Sequence, residues 1–538
     1  MSSYLQRKDI QLTKENIKND YPLITCGTSC GKTYFAVHEL ANLFEEVSGD
    51  KIEDILMLTP TAALRDNTLS NYPLAIERLD ENKDLSMPAN EKYGRIKIAC
   101  FSTIGNYLEQ GNKITHAPQL VIVDEADENA LWSLCFSNNL PVWDWLISNH
   151  KDIKFCGLTA TPQLLTEYVK NKNLHFVDIT PNYKPALKID SIEIVPHTSI
   201  FTYLKTYKPK AKEKTLIYTR SAKDCVKLSR SMKNAGFIVS QYNNKEVKLE
   251  DGTYKISQLL KEQLVAVKPF GAVSLPDYIC GSKDFPAKEK LPPNIDTLFI
   301  NDAAVAGVNI KDKSVKTVIV DSADLAIIEQ ARGRIRTHID KLVIIYNRKE
   351  LPRLMKSIEV YSHIYNKHIS LNSWHTVQQL TLKKDKEANR NASIDILSYI
   401  DSQGKVKVNM FAEAIYNYQN AIYSLLETYE GRSIYFNSLQ KYTSRPIRYI
   451  NAEYIRASAA NKEKIVATDI ENFLDRKLFK EDKEELVEAL GLVNNKWRKT
   501  KWPTVKKALE EEGFLVREGR TTRQGHNLRY TVITAATC

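Results

Sequence analysis

Between Tyr21 and Tyr346, short β-branched apolar runs alternate with helical stretches, the pattern of parallel sheets joined by crossover helices. Leu23-Ile24, Ile55 to Leu58, Ile96 to Cys100, Leu120 to Val123 and Phe155 to Leu158 form a first series of strands. Ser191 to Val195, Thr215 to Tyr218, Phe237 to Ser240, Thr297 to Ile300, Thr317 to Val320 and Leu342 to Tyr346 form a second. Thr180-Pro181-Asn182-Tyr183-Lys184-Pro185 lies between the series with the Pro and Asn content of a linker. Two α/β domains are therefore expected, residues 1–182 and 183–350, the second with an insertion near 241–294 that is longer than a crossover needs. After Leu351 the strand pattern stops. Helical periodicity rich in tyrosine marks residues 351–465 as a helical domain, and residues 466–538 read as a separate module.

A chain of 538 residues exceeds what a single core supports. Its 43% hydrophobic and 26% charged residues exclude disordered and fibrous classes. No apolar run approaches the ~18 residues that span a bilayer, and Met1 to Ile10 lacks an apolar signal core, so a cytoplasmic protein without membrane partners is expected. Eight cysteines without a Cys-x-x-Cys pair imply a reduced, metal-free chain. Cys26 and Cys30 read as small hydrophobes filling a tight turn rather than as a redox switch. The net charge of +11 is uneven: residues 351–538 hold 30 Lys/Arg against 22 Asp/Glu, leaving +3 for the first 350. That asymmetry points to a polyanionic partner at the C-terminal end.

The segment Cys26-Gly27-Thr28-Ser29-Cys30-Gly31-Lys32-Thr33 follows an apolar strand and precedes the helical run Tyr34 to Phe44. This is the arrangement of a phosphate-binding loop, whose backbone N–H groups cradle phosphates while Lys32 reaches their oxygens and the Thr33 hydroxyl binds Mg²⁺. Cys26 stands where the strict pattern has its first Gly. Downstream, Leu120 to Val123 runs into Asp124-Glu125-Ala126-Asp127, placing acids at the end of a buried strand where an unpaired carboxylate is costly without a cation. Asp124 is suited to hold Mg²⁺ through water, and Glu125 to orient and deprotonate the attacking water.

With these two segments the chain resembles superfamily 2 helicases, Asp124 to Asp127 spelling the DEAD box. Further motifs follow in order over roughly residues 10–350. Thr59-Pro60-Thr61 and Ser102-Thr103 resemble the strand-contacting segments, which makes Thr61 and Thr103 candidate nucleic-acid contacts. Gly157-Leu158-Thr159-Ala160-Thr161-Pro162 resembles the element that couples hydrolysis to movement, through Thr159 and Thr161. Leu216 to Ser221 resembles motif four, Asn301 to Ile310 motif five with Gly307 at the nucleotide, and Gln330-Ala331-Arg332-Gly333-Arg334-Ile335-Arg336 motif six. The resemblance implies two tandem RecA-like domains, ATP and Mg²⁺ as cofactors, Gln330 at the γ-phosphate or its water, and Arg334 and Arg336 as arginine fingers. These arginines are two apart where the family more often spaces them by three, which leaves open which does which job. Gln11 lies where relatives read adenine, or is a solvated helix residue. The motif style is closest to restriction-motor and viral origin-binding helicases. That implies a nucleic-acid-stimulated ATPase acting on DNA, in phage, viral or plasmid replication. The alternatives are an RNA helicase remodelling short duplexes and a non-catalytic, ATP-switched DNA-binding regulator.

Between Tyr361 and Tyr454 lie 11 of the 27 tyrosines; at helical spacing they read as core rather than as base-stacking residues. Residues 466–538 read as a winged helix. Thr468-Asp469-Ile470-Glu471 opens a first helix bearing Ile470, Phe473, Leu474 and Leu478; a second lies around Lys483 to Leu490, and a third runs from Trp502-Pro503 to Gly513. Phe514 to Val516 and Leu528 to Val532 then flank a wing. Lys499, Lys501, Lys506 and Lys507, with Arg517, Arg520, Arg523 and Arg529, are placed to grip phosphates across a groove, although such modules also bind proteins.

Overall fold

The computed structural model describes all residues except 1–4, 29, 80–95, 115–116, 134–136, 171–172, 184–188, 211, 242, 283–284, 302–307, 347–397, 401–405, 441, 451, 468–469, 493–499, 513, 524–525 and 536–538. The first series of strands comprises β1 (Tyr21–Ile24), β2 (Ile55–Thr59), β3 (Ile76–Arg78), β4 (Ile96–Cys100), β5 (Leu120–Asp124), β6 (Lys154–Leu158) and β7 (Phe176–Asp178). They form one sheet in the order β3-β4-β2-β5-β6-β1-β7, with every pairing parallel. Alternate residues of each strand enter different cores. Leu23, Leu58, Val121, Val123 and Phe155 face one, and Ile24, Met57, Ile122 and Cys156 face the other. A sheet buried on both faces is why these runs are continuously apolar instead of alternating.

The second series contains β8 (Ile189–Pro196), β9 (Lys214–Tyr218) and β10 (Ala235–Ile238), then the inserted strands β11 (Glu246–Leu249), β12 (Gly252–Lys255), β13 (Leu264–Val267) and β14 (Gly271–Ser274). It resumes with β15 (Thr297–Ile300), β16 (Val315–Val320) and β17 (Ile339–Tyr346). Two further strands, β18 (Ser398–Ile400) and β19 (Val406–Val408), pair with each other, and β20 (Arg448–Tyr449) returns to the main sheet. That sheet has the order β10-β15-β9-β16-β17-β8-β20 and is also parallel throughout. Both sheets are thus RecA-like. The insertion is two antiparallel hairpins and the helices Ile256–Glu262 and Leu275–Cys280, and it is tied into the domain by Val247, Ile256, Leu259 and Leu260 in one core and Leu275 and Ile279 in the other.

The expectation that strands end at Leu351 is corrected by β18, β19 and β20, each two or three residues long and too short to carry a periodic signal. Helices Ala412–Glu427 and Tyr429–Gln440 pack into the core shared by the two sheets through Phe411, Ile415, Tyr418, Ile422 and Tyr435. Phe411 meets Trp143 edge-on at 5.2 Å, and Tyr418 meets Tyr168 at 5.5 Å. The hydroxyls of Tyr418 and Tyr435 donate to Asp324 Oδ1 (3.0 Å) and the Ala323 carbonyl (2.8 Å), so these tyrosines are core residues with bonded tips.

The last module has its own core of Ile470, Phe473, Leu478, Leu486, Leu490, Val505, Leu509 and Ile533. Helices Lys480–Leu490 and Trp502–Glu511 lead into a hairpin of β21 (Phe514–Arg523) and β22 (His526–Ala535). The first helix expected there is corrected to a single 3₁₀ turn, Glu471–Phe473, because Leu474 and Leu478 leave it to bridge Ile533 and Thr531 of the hairpin. Thr468, Asp469 and Gly513 lie outside the described residues. No helix among the described residues is long and apolar enough to cross a membrane.

Candidate nucleotide site between the two sheets

In a parallel sheet, the loops that leave the carboxyl ends of the strands gather on one edge, and there the segments singled out above converge. After β1 the chain turns through Thr25 to Gly31 into helix Lys32–His38. Gly31 has φ +86°, a left-handed conformation that side chains disfavour. Lys32 is buried, and its ammonium donates to the carbonyls of Cys26 (2.8 Å) and Gly27 (3.3 Å). Cys26 and Cys30 are both buried, as expected, but they are joined as a disulfide, which corrects the expectation of a fully reduced chain. The loop curls so that their Cα atoms lie 6.4 Å apart, within the span a disulfide bridges. Ser29 is outside the described residues. Gln11 is exposed, its N–H donating to the Ile179 carbonyl (2.8 Å) just beyond β7.

β5 delivers Asp124, which is buried. Glu125 follows with φ 47°, a sparsely populated conformation for a non-glycine residue that breaks the strand into helix Ala126–Trp132. Burial pushes the Asp124 carboxyl up to about 7; the neighbouring Glu125 adds to this, and Lys32 and Arg334 oppose it. Asp127 is raised to about 6, again chiefly by burial, although two hydroxyls stabilise its charge. Those hydroxyls belong to Thr159, which donates to Oδ1 at 2.5 Å, and Thr161, which donates to Oδ2. The Thr159 N–H donates to the Ile24 carbonyl (3.0 Å), so the segments after β1, β5 and β6 are knit together. Thr61 and Thr103 follow β2 and β4 on the same edge. The Thr61 hydroxyl caps helix Ala62–Asn71 by accepting the Leu64 N–H (3.1 Å), and Thr103 sits half-buried in helix Phe101–Glu109.

The second sheet contributes helix Leu325–Gly333, which starts on Asp324, whose carboxylate accepts the Ala326 N–H (2.9 Å). Its far end lies directly against the phosphate loop. The Thr28 N–H donates to Glu329 Oε1 at 3.2 Å, and a Cβ added to Gly333 would stand 2.4 Å from Thr28 Oγ1, so only glycine permits this approach. Arg334 is buried on the side where its charge is felt by Asp124. Arg336, half-buried, is pushed down to about 10, first by burial and then by Arg334, while Glu125 opposes the shift. Its guanidinium donates from Nε (3.0 Å) and Nη2 (2.7 Å) to Asn309 Oδ1. Gly307 lies outside the described residues.

Three buried polar atoms on this cleft, Glu125 Oε2, Gln330 Nε2 and Arg334 Nε, meet no partner among the described residues. Groups of this kind are costly unless something polar joins them. Gln330 and Arg334 join Lys32 as donors for a polyanion, Glu125 offers an acceptor, and Asp124 and the Thr33 hydroxyl supply oxygens for a divalent cation, so the set fits Mg²⁺ and a nucleoside triphosphate.

Residues 3–164, which include the phosphate loop and the acidic tetrad, match the family model described as Type III restriction enzyme, res subunit. That segment of the chain is similar to this family. Among solved structures, the chain is similar to S. cerevisiae Dbp5 bound to RNA and ADP BeF3, with 13% identity and a TM-score of 0.38 over 62% of this chain and 80% of that one. A point variant of Dbp5 with the same ligands gives the same figures. No curated protein matches the chain in sequence.

Sequence reasoning misses Glu329, which stands one residue before the Gln330 to Arg336 segment and belongs to none of the motifs. Its partner Thr28 is 301 residues away, and nothing local signals the contact. Asn309 belongs to the motif-five segment, where nothing in the sequence gives it a role of its own. The C-terminal basic residues lie elsewhere: Lys501, Lys507, Arg517, Arg520 and Arg529 are exposed, and Lys506 pairs with Glu518 (3.1 Å). Lys499 and the Arg523 side chain lie outside the described residues.

Proposed function

We propose that this protein is a helicase-type, ATP-driven DNA translocase or duplex-separating motor whose C-terminal module docks on duplex DNA. The observation that carries the motor reading is the meeting of the two sheets at one cleft, the loop with Thr28 and Lys32 on one side and the helix with Gln330 and Arg334 on the other. Such an ATPase is complete only when both lobes contribute. Lys32 and the loop N–H groups of Gly27, Thr28, Ser29, Cys30 and Gly31 hold phosphates. Thr33 and Asp124 hold Mg²⁺, which when bound neutralises charge on the phosphate oxygens. Glu125, set by its left-handed backbone and with one carboxylate oxygen unpartnered, orients the attacking water and takes its proton. Arg334 stabilises charge on the transferring phosphoryl, and Arg336, fixed on Asn309, supports it from one side. Asp127, Thr159 and Thr161 carry the change at the nucleotide to β6.

DNA is favoured over RNA by the restriction-enzyme description of the matching family. The hairpin adds support for a phosphate partner. Arg520 and Arg529 stand directly opposite each other on β21 and β22, an arrangement of like charges that disfavours the hairpin unless an anion joins it. The test is ATP turnover measured side by side with single-stranded DNA, duplex DNA and RNA. Stimulation by DNA is expected; stimulation by RNA alone overturns the substrate, and absence of turnover with all three overturns the motor.

A further inference from the structure

Glu329 has no part in the scheme above, yet it is buried at the centre of the cleft, 5% exposed. Its carboxylate accepts the Thr28 N–H at 3.2 Å, with the Thr28 hydroxyl 3.5 Å away. Gly333, one turn further along the same helix, closes over the Thr28 side chain, so two positions of one helix face are fitted to one loop residue. A third element holds the carboxylate from behind. The hydroxyl of Tyr442, in the segment between helix Tyr429–Gln440 and β20, hydrogen-bonds Glu329. Tyr442 is itself anchored to the second sheet, its carbonyl accepting the Ile189 N–H at 2.9 Å.

A phosphate-binding loop works by offering backbone N–H groups to anionic oxygens. A carboxylate is an anion with the same appetite for those donors. We infer that Glu329 is an internal competitor for the nucleotide phosphates: it occupies a donor of the phosphate loop, and a nucleoside triphosphate must displace it to bind. This rests on the ATP-binding reading of the same loop. Two anions cannot share Thr28 without strong repulsion in so buried a place, so one leaves when the other arrives. Because Glu329 lies on the helix that carries Gln330 and Arg332 and is held by Tyr442, its release connects loop occupancy to the arginines and to the C-terminal helices. A ligand that shifts Tyr442 thereby changes the affinity for ATP, and ATP changes the affinity for that ligand by the same factor.

The experiment is equilibrium binding of a fluorescent N-methylanthraniloyl-ATP, without nucleic acid, to the full-length wild type, Glu329→Gln, Glu329→Ala, Tyr442→Phe and Lys32→Ala, each checked for folding by thermal melting. A charge-assisted hydrogen bond of this kind corresponds to about a tenfold change in affinity. Glu329→Ala is expected to bind about tenfold more tightly, Glu329→Gln by an intermediate factor because its amide oxygen still accepts the N–H, and Tyr442→Phe slightly more tightly than wild type. A role that merely braces the loop predicts the opposite sign. Unchanged or weaker binding by a folded Glu329 variant overturns the competitor while leaving the ATP reading intact. If Glu329→Ala does not fold, Glu329→Gln decides the matter alone. Wild type that binds no nucleotide, or Lys32→Ala that binds as tightly as wild type, overturns the ATP reading and the competitor with it.

Discussion

Arg334 is 4% exposed and faces Asp124 across a cleft, whereas Arg520 and Arg529 face each other on exposed strands of a hairpin. Both regions are suited to phosphate, but the physics differs. In the cleft, the low-dielectric surroundings make each charge strong and its position decisive, and Gly333, Asp324 and Asn309 fix those positions. On the hairpin, water and salt screen each charge, so effect comes from number rather than placement. A single substitution should therefore be severe in the cleft and mild in the C-terminal module.

The largest effect is expected at Glu125. Glu125→Gln keeps the shape and removes the base, so turnover should fall about 10²- to 10⁴-fold while nucleotide binding persists, and Lys32→Ala should lose both. Rapid-quench hydrolysis beside equilibrium binding measures this; wild-type turnover by Glu125→Gln removes it from the role of base. Next come the arginines. Arg334→Ala should lower kcat by roughly 10²- to 10³-fold with little change in nucleotide affinity, as for a group acting on developing charge. Arg336→Ala should cost less, since its guanidinium is already bonded to Asn309. A larger fall in kcat for Arg336→Ala than for Arg334→Ala would reverse their order.

The C-terminal module is tested by deletion and then by a point change. Removing residues 466–538 should leave nucleotide binding intact while duplex DNA affinity falls and its salt dependence flattens, by ~0.9 in log–log slope for each phosphate the truncated protein no longer neutralises. An unchanged slope would leave the module as a protein-interaction surface and break the comparison. The smallest effect is expected for Arg520→Glu. Opposite Arg529 it turns a repulsive pair into an attractive one, which should stabilise the hairpin by about 0.2–1 kcal/mol while weakening DNA binding a few-fold. Thermal melting and DNA titration read the two directions separately, and a variant that binds DNA more tightly contradicts the docking role.

The sequence is most informative where structure repeats locally. Each run of the two α/β series contains a strand because continuous burial in a parallel sheet leaves a continuous apolar signature, although β10 spans Ala235–Ile238 in place of the expected Phe237 to Ser240. The loop, the acidic tetrad and the Gln-Arg helix are legible because each is a contiguous segment with a fixed spacing. β3, β7 and β20 escape, since two or three residues at a sheet edge carry no period. Glu329 and Tyr442 escape for another reason: their roles exist only where distant segments meet. The first helix of the C-terminal module has a sound capping signal, and tertiary pairing of Leu474 and Leu478 with the hairpin overrides it.

The strand β20 has a consequence for how the protein is made. The second sheet is closed by Arg448–Tyr449, whose Arg448 pairs at 3.0 Å with the buried Glu193 of β8. That strand leaves the ribosome about a hundred residues after β17, so the sheet stays open during synthesis and its closure is a slow, long-range step. Until then β8 presents a bare row of N–H and C=O groups to any other chain. A fragment cut at residue 350 would contain every segment that forms the cleft between the sheets except Tyr442 and would still leave that edge uncovered, with Glu193 retaining Lys341 at 2.9 Å but not Arg448. The shortest piece that holds those segments is therefore one that should aggregate, and a fragment carried through Tyr449 should aggregate less.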